Sequence, residues 1–429
     1  MQHNIPVEQL GAQAPAMADA ISACVHCGFC LPACPTYQLL GDEADSPRGR
    51  IVLMKAVLEG SLPAAQAQPH IDRCLGCLGC VTACPSGVKY GALLSGYRAL
   101  TAPAAQRGLF DGIARALSHA VLPRPQLFRI AALAARLAQP FAVALPRSLR
   151  AMLELLPARL PAAVHLPAVS PALGTRRARV ALLAGCAQQV LAPEINAATV
   201  RVLTRNGVEV LVPPAQGCCG ALAIHTGAAP RARQFARNNL AAFPTDVDAI
   251  LTTAAGCGSG IHDYPLLFAG TAQHAEAQAF AARTCDVSVF LDRLGLLPLP
   301  AQPQPRRVAY HDACHLSHAQ GVRAAPRNLL RQIPGVTLLD LPEAELCCGS
   351  AGTYNIEQPQ LAQQLGVRKA GHVRASAAQI VAMGNIGCMV QIQRSLGAAG
   401  SVPAVRHTMQ ILDDAYQAGG HTQPKIVPK

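Results

Sequence analysis

The sequence predicts a multidomain chain: an N-terminal, mainly α-helical cysteine module, a helical linker, then two α/β repeats. Three observations predict it. Two matched runs, Cys24-x-x-Cys27-x-x-Cys30-x-x-x-Cys34-Pro35 and Cys74-x-x-Cys77-x-x-Cys80-x-x-x-Cys84-Pro85, lie near the N-terminus. A cysteine-free stretch rich in Ala, Leu and Pro covers 99–172. Four cysteine positions then recur at offsets of 128 (Cys186 to Cys314), 129 (Cys218 to Cys347) and 131 (Cys257 to Cys388), and Cys-Cys-Gly stands at 218–220 and again at 347–349. Near-constant offsets across so many cysteines identify an internal duplication. A chain of 429 residues exceeds what one core organises. The boundaries expected are 1–98, 99–172, 173–300 and 301–429.

The N-terminal module comes first. Thiolates at this spacing hold iron–sulfur cubanes, and the fourth cysteine of each run ligates the cluster of the other run. The expected ligand sets are therefore Cys24, Cys27, Cys30 and Cys84 for one [4Fe–4S] cluster, and Cys74, Cys77, Cys80 and Cys34 for the second. Zinc sites favour two Cys-x-x-Cys pairs, which three-plus-one runs ending in Cys-Pro do not supply. Between the runs, Ser46-Pro47 reads as an N-cap with Pro at the first helical position. Ile51, Met54, Val57 and Leu58 recur at helical spacing, and Gly60 ends the run. A helix inserted here points to a helical, two-[4Fe–4S] ferredoxin-type domain.

The linker over 99–172 carries Arg at 107, 115, 124, 129, 136, 147 and 150. It reads as short amphipathic helices separated by Pro, either packed on the chain itself or forming a docking surface for a subunit or membrane. Its most apolar part, Ala131–Pro146, is interrupted by Arg136 and Pro140, so no transmembrane helix is expected.

In each repeat, short apolar runs alternate with helical patterns. The strands expected are Arg179–Gly185, Val208–Val212 and Ala249–Thr253, then Arg307–His311, Val336–Leu341 and Gln379–Ala382. The helices expected are Pro193–Asn206 and Pro230–Ala242, then Arg323–Ile333 and Gln358–Ala375. This is a β-α-β-α-β unit, hence a parallel α/β layer. Every cysteine motif follows a strand, and the carboxyl ends of parallel strands form a ligand crevice. Cys186, Cys218, Cys219 and Cys257 should therefore meet at one sheet edge, and Cys314, Cys347, Cys348 and Cys388 at another. The readings open for them are a cluster in each copy, a cluster in one copy, disulfide-exchanging thiols, or buried structural cysteines. Gly after Cys-Cys suggests a tight turn. Cys285 has no counterpart and is expected in the core. His225, His311 and His315 flank the motifs and are expected to hydrogen-bond nearby, with cluster tuning or ligation as the alternative.

The formal charge of +12 is not read as a nucleic-acid signature. Aromatics are 4%, Trp is absent, and no basic run interleaves with stacking residues. Each cubane with four thiolates also contributes about −2, which lowers the net charge. Residues 1–20 show no basic region followed by an apolar core, and seventeen cysteines in metal spacing suit a reducing compartment. The expected location is cytoplasmic, at the cytoplasmic face of the inner membrane. No P-loop, dinucleotide fingerprint or Ser–His–Asp set is present, so no catalytic residue is assigned.

These motifs resemble those of the iron–sulfur subunits of bacterial glycolate oxidases. The residues that carry the resemblance are C-V-H-C-G-F-C-L-P-A-C-P-T-Y-Q-L-L-G-D-E at 24–43, S-P-R-G-R-I at 46–51 and D-R-C-L-G-C-L-G-C-V-T-A-C-P-S-G-V at 72–88. To these add G-C-C-G-A-L at 217–222, A-A-G-C-G at 254–258, H-D-A-C-H at 311–315 and C-C-G-S-A-G-T-Y at 347–354. The chain is also similar to subunits of anaerobic glycerol-3-phosphate dehydrogenase, of lactate utilisation and of heterodisulfide reductase. The resemblance implies an electron carrier: FAD-containing partner subunits oxidise glycolate to glyoxylate, and this subunit passes electrons to a quinone or other acceptor, with peripheral membrane contact. It implies FAD on the partner and none on this chain. In heterodisulfide reductases each repeat can end in Cys-x-x-Cys. Here Gly260 and Gln391 take that last position, which argues against disulfide-splitting chemistry.

Overall fold

The computed structural model describes residues 3–301, 304–397 and 403–418. The N-terminal module is helical. Its core packs Met17 and Ile21 of the helix Ala14–Ser22 against Met54 and Leu58 of Pro47–Leu58, and Leu93 and Tyr97 of Tyr90–Thr101. Ser46 caps the middle helix, its Oγ accepting from the Gly49 amide at 3.0 Å, with Pro47 at the first helical position. The expected helix and its cap are thus present, as is its stripe of Ile51, Met54 and Leu58. Arg50, on the same helix, is also buried, which the apolar pattern did not indicate.

Two sheets follow. The first contains β1 (Val169–Ser170), β2 (Ala178–Leu183), β3 (Val208–Leu211), β4 (Ala249–Thr252) and β5 (Thr284–Asp286), in the order β1-β3-β2-β4-β5. The second contains β6 (Arg306–Tyr310), β7 (Val336–Leu339), β8 (Ile380–Met383) and β9 (Ala404–His407), in the order β7-β6-β8-β9. Among the described residues, all pairings are parallel except β1 with β3. The duplication therefore holds in three dimensions, with two additions. Each copy has a fourth parallel strand, β5 or β9, too short to show a period. β1 also joins the first sheet from ahead of residue 173. Cys285 lies on β5 opposite Leu251, half-buried against the apolar core.

The copies pack through a reciprocal helix exchange. Glu194–Arg205 of the first lies on Thr408–Gln417 of the second, and Val287–Leu294 of the first lies on Ala324–Arg331 of the second. Each pair joins non-equivalent helices, so a pseudo-two-fold axis relates the copies. One apolar cluster runs through both sheets, from Val180 and Leu251 to Val308 and Tyr310.

His407 fastens this joint. Its Nε2–H donates to the Thr253 carbonyl of the first copy at 2.8 Å, and its Nδ1 accepts from the Met409 amide at 3.1 Å. Burial pushes its pKa down from 6.5 to about 4. Between those values the unfolded chain binds a proton that the folded chain refuses. Stability should fall by about 3 kcal/mol as pH drops through that window. His407→Asn keeps a capping acceptor and should flatten that part of the acid slope. Chemical denaturation from pH 7 to 4 checks it; parallel slopes for the two proteins would refute the assignment.

The linker differs from expectation in one respect. Pro140 does not break the apolar run. It falls near the start of the 3-10 segment Gln139–Ala144, where a proline is tolerated, and that segment continues the helix Pro125–Ala138. Pro125–Ala144 is thus a 20-residue stretch of mean hydropathy 1.3, long and apolar enough by composition to cross a membrane, with 11% of its most apolar window buried. Leu137 (81% exposed), Val143 (80%) and Phe141 (71%) lead its outward side.

Candidate metal centres

The two N-terminal runs fold into the same loop. His26 and Gly28 in the first run and Gly76 and Leu78 in the second all take positive φ, from 56° to 86°. For His26 and Leu78 this conformation costs about 1–2 kcal/mol. It curls the backbone around a central space.

Two adjacent cavities result. Cys24, Cys27, Cys30 and Cys84 line the first, with Gly28 and Arg48. Cys34, Cys74, Cys77 and Cys80 line the second, with Arg50 and Gly76. Cys80, Pro47 and Tyr90 border both. Cys34 and Cys84 thus each stand at the cavity of the other run. Four convergent thiols around each space are the donor set that an iron–sulfur cubane needs.

Their electrostatics differ. Around the first cavity, burial pushes the Cys30 thiol up to about 11, so a bound cation must displace its proton. Arg48 closes that loop from outside, donating to the His26 carbonyl at 3.2 Å and pairing with Glu43. At the second cavity burial opposes ionisation of Cys74, yet Arg50 and Arg98 hold its thiol below the ordinary range. Arg50 directs Nη1 at Cys34 Sγ (3.8 Å) and donates to the His70 carbonyl at 2.7 Å and Thr36 Oγ1 at 3.0 Å. Its counter-ion is Asp45, at 3.2 Å and equally buried, which also pairs with Arg73 at 2.9 Å. Sequence reading missed Arg50. The signal available was the second arginine of S-P-R-G-R-I, which falls on the same helical face as Met54 and Leu58.

The repeats bring their cysteines together at the carboxyl ends of the strands. In the first copy Cys186 and Cys218 sulfurs are 3.6 Å apart, and Cys219 is hydrogen-bonded with Cys257. In the second Cys314 and Cys347 are 3.9 Å apart, and Cys348 is hydrogen-bonded with Cys388. Gly220 and Gly349, at φ 80° and 88°, form the expected turns; a Cβ on Gly349 would lie 2.7 Å from the Ala362 carbonyl oxygen. The absent fifth cysteines have a structural reason. A Cβ at Gly260 would meet Ala221 Cβ at 2.4 Å. Gln391 is buried and bonded to Asn355 and to the Ala362 carbonyl.

The ferredoxin-type module sits directly on the second repeat. Leu75, Cys77, Cys314, Cys347 and Tyr354 share one apolar cluster. His315 faces the Gly76 carbonyl through Nε2 (3.0 Å) and Ser259 through Nδ1 (3.1 Å), and the His225 ring stands edge-on to it at 4.9 Å. His225 and His315 are therefore neighbours at the joint of three parts. His311 behaves differently: among the described residues its buried ring nitrogens meet no nitrogen or oxygen partner, and the imidazole engages the Cys348 thiol.

Residues 20–88 match the 4Fe-4S dicluster domain family, and residues 180–262 and 308–393 match the cysteine-rich domain family. The chain is 40% identical over 405 residues to the glycolate oxidase iron-sulfur subunit of Escherichia coli, covering 93% of this chain and 95% of that one. It is 35% identical to the probable glycolate oxidase iron-sulfur subunit of Bacillus subtilis, over 93% and 94%. It is 31% identical to lactate utilization protein A of Geobacillus kaustophilus, over 55% of this chain and 98% of that one.

Proposed function

Because the chain belongs to the family of glycolate oxidase iron–sulfur subunits, we propose that it carries electrons from a flavin subunit oxidising glycolate to glyoxylate toward a membrane quinone. Iron–sulfur clusters supply one-electron transfer, converting the two-electron chemistry of a flavin into single steps. In this reading Cys24, Cys27, Cys30 and Cys84 hold one cluster, and Cys34, Cys74, Cys77 and Cys80 hold the other.

The observation that carries the reading is the continuous series of cysteine sites. The two N-terminal cavities share Cys80, and Cys77 then packs with Cys314 and Cys347. The first loop is the natural entry. Val25 and Phe29 within it are each 68% exposed, and Cys27 is exposed, which suits docking of the flavin subunit. Arg50 and Arg98 place positive charge beside the second cavity, favouring reduction there over the first.

The outward side of Pro125–Ala144 is the proposed membrane contact, at the cytoplasmic face of the inner membrane. Arg124 and Arg147 stand exposed at its two ends, where they complement anionic headgroups while Leu137 and Phe141 enter the acyl boundary. Glycolate is preferred to lactate because the similarity to glycolate oxidase subunits covers 93% of the chain, against 55% for the lactate relative.

One reconstitution tests this. The chain, its flavin subunits and quinone-bearing anionic vesicles are combined, and quinone reduction is followed with glycolate, lactate and glycerol 3-phosphate. Glycolate-driven reduction that requires this chain is expected. Faster turnover with lactate would overturn the substrate, and full activity without the chain would overturn the carrier role. The Leu137→Glu/Phe141→Glu variant should lose co-sedimentation with the vesicles; unchanged sedimentation would reject the membrane contact.

A further inference from the structure

The geometry points to His311 as a nitrogen ligand of the metal centre in the second repeat, so that the two repeats hold chemically different centres. The inference rests on the repeat binding metal at all. His311 is the first residue after β6, on the segment that runs toward Cys314. Its side chain is fully buried; among the described residues neither ring nitrogen has a nitrogen or oxygen partner, and the imidazole engages the Cys348 thiol. A buried polar group left unpaired costs about 1–3 kcal/mol, so an imidazole whose buried nitrogens meet no partner but a weakly bonding thiol calls for a stronger one. The ligand atoms of His311, Cys348 and Cys388 all lie within 4.8 Å of one another, and all three residues are buried.

Neighbouring groups support a ligand set rather than a chance contact. Asn385 Nδ2 donates to Cys388 Sγ at 3.3 Å, orienting that sulfur. Asp312, adjacent in sequence, is committed to Arg327 at 2.6 and 2.7 Å and does not compete for the imidazole. In the first repeat the 128-residue offset places Leu183 opposite His311. Leu183 is buried in an apolar cluster with Cys218 and Cys219. The first site is therefore thiolate only and the second is mixed.

The distinction has a chemical consequence. His311 groups with only two of the repeat's four thiols, so there a neutral imidazole takes the place of a thiolate and removes one negative charge from a water-poor site. Histidine ligation raises the potential of an iron–sulfur centre well above that of an all-thiolate one. The second repeat, which touches the Cys77 loop, would then be the favoured resting place for an electron leaving the ferredoxin-type module. The donor chemistry is shared by iron in a sulfur cluster and by a single tetrahedral zinc. Metal analysis separates these sources.

The test uses the full chain purified without oxygen, as wild type, His311→Ala, His311→Cys and Leu183→Ala. Iron, zinc and acid-labile sulfide are counted per chain, with ¹⁵N-histidine labelling read by pulsed EPR for iron or by X-ray absorption for zinc. Wild type should exceed about eight irons, or hold zinc beside them. It should also show a directly bound nitrogen. His311→Ala should lose the second repeat's share of the excess metal while keeping at least about eight irons, which also shows that the remainder of the chain has folded. His311→Cys should retain metal but lose the nitrogen signal. Leu183→Ala should leave that signal unchanged. Full metal and an unaltered nitrogen signal in both His311 variants would overturn the proposal. About eight irons and no zinc in the wild type would overturn it together with metal binding by the repeats, leaving the N-terminal clusters untouched.

Discussion

In the reconstituted complex, Cys30→Ser should leave reduction of the partner's flavin by substrate intact while acceptor reduction falls at least about 100-fold. Even residues behind the ligands cost ~10–100-fold when changed, and Cys30 stands at the cavity itself. Serine keeps the shape of the side chain but replaces a soft thiolate with a hard, far less acidic hydroxyl. Flavin bleaching by stopped flow, alongside acceptor reduction in the same sample, separates the two steps. A variant that still reduces acceptor at the wild-type rate would remove Cys30 from the required ligands. An undocked variant would give the same pair of readings, so co-purification of the variant with the flavin subunits is required for the assignment to stand.

Arg50→Met should destabilise the N-terminal module by about 3 kcal/mol. The pair Arg50–Asp45 is 1% exposed on both sides, and removing one partner of a buried pair typically costs ~3–5 kcal/mol because the other charge is left behind. The lower end applies here, since Asp45 retains Arg73. The double variant Arg50→Met/Asp45→Asn should recover part of the loss. The same substitution withdraws positive charge from Cys34 and Cys74, so the second cluster should become harder to reduce than in wild type. Urea unfolding and a redox titration under anaerobic conditions check both. A loss below about 1 kcal/mol would show that the pair is not an electrostatic anchor, in keeping with the small worth of exposed pairs.

Much of this protein was legible in the chain. Cysteine spacing is a short-range property, because ligands held on one loop must be close in sequence. Three cysteines of each set could therefore be grouped before any coordinates, while assigning Cys34 and Cys84 to the opposite run's set drew on the general ligation pattern of the motif. The Ser46-Pro47 helix was legible for the same reason, since its cap and its Ile51, Met54 and Leu58 stripe are local. The principal strands and helices of the repeats followed from local apolar periods. The strands β5 and β9 did not, because Thr284–Asp286 and Ala404–His407 are too short to show a period and are strands only by pairing with β4 and β8. The apolar run beyond Pro140 was misjudged because a proline at a helix start and one inside a helix look alike in sequence.

By itself the sequence determined the chemistry available: two runs of cubane spacing, a duplicated cysteine set, and no catalytic or nucleotide-binding motif. Only the tertiary structure decided which groups face one another across long separations. It set Arg50 against Cys34, Cys77 against Cys314, and the buried His311 beside Cys348 and Cys388. It also showed that Gly260 has no room for a fifth ligand. Those are contacts between distant segments in a buried, low-dielectric interior, where a charge or a weakly paired nitrogen matters most. Spacing along the chain encodes neither the approach nor the burial.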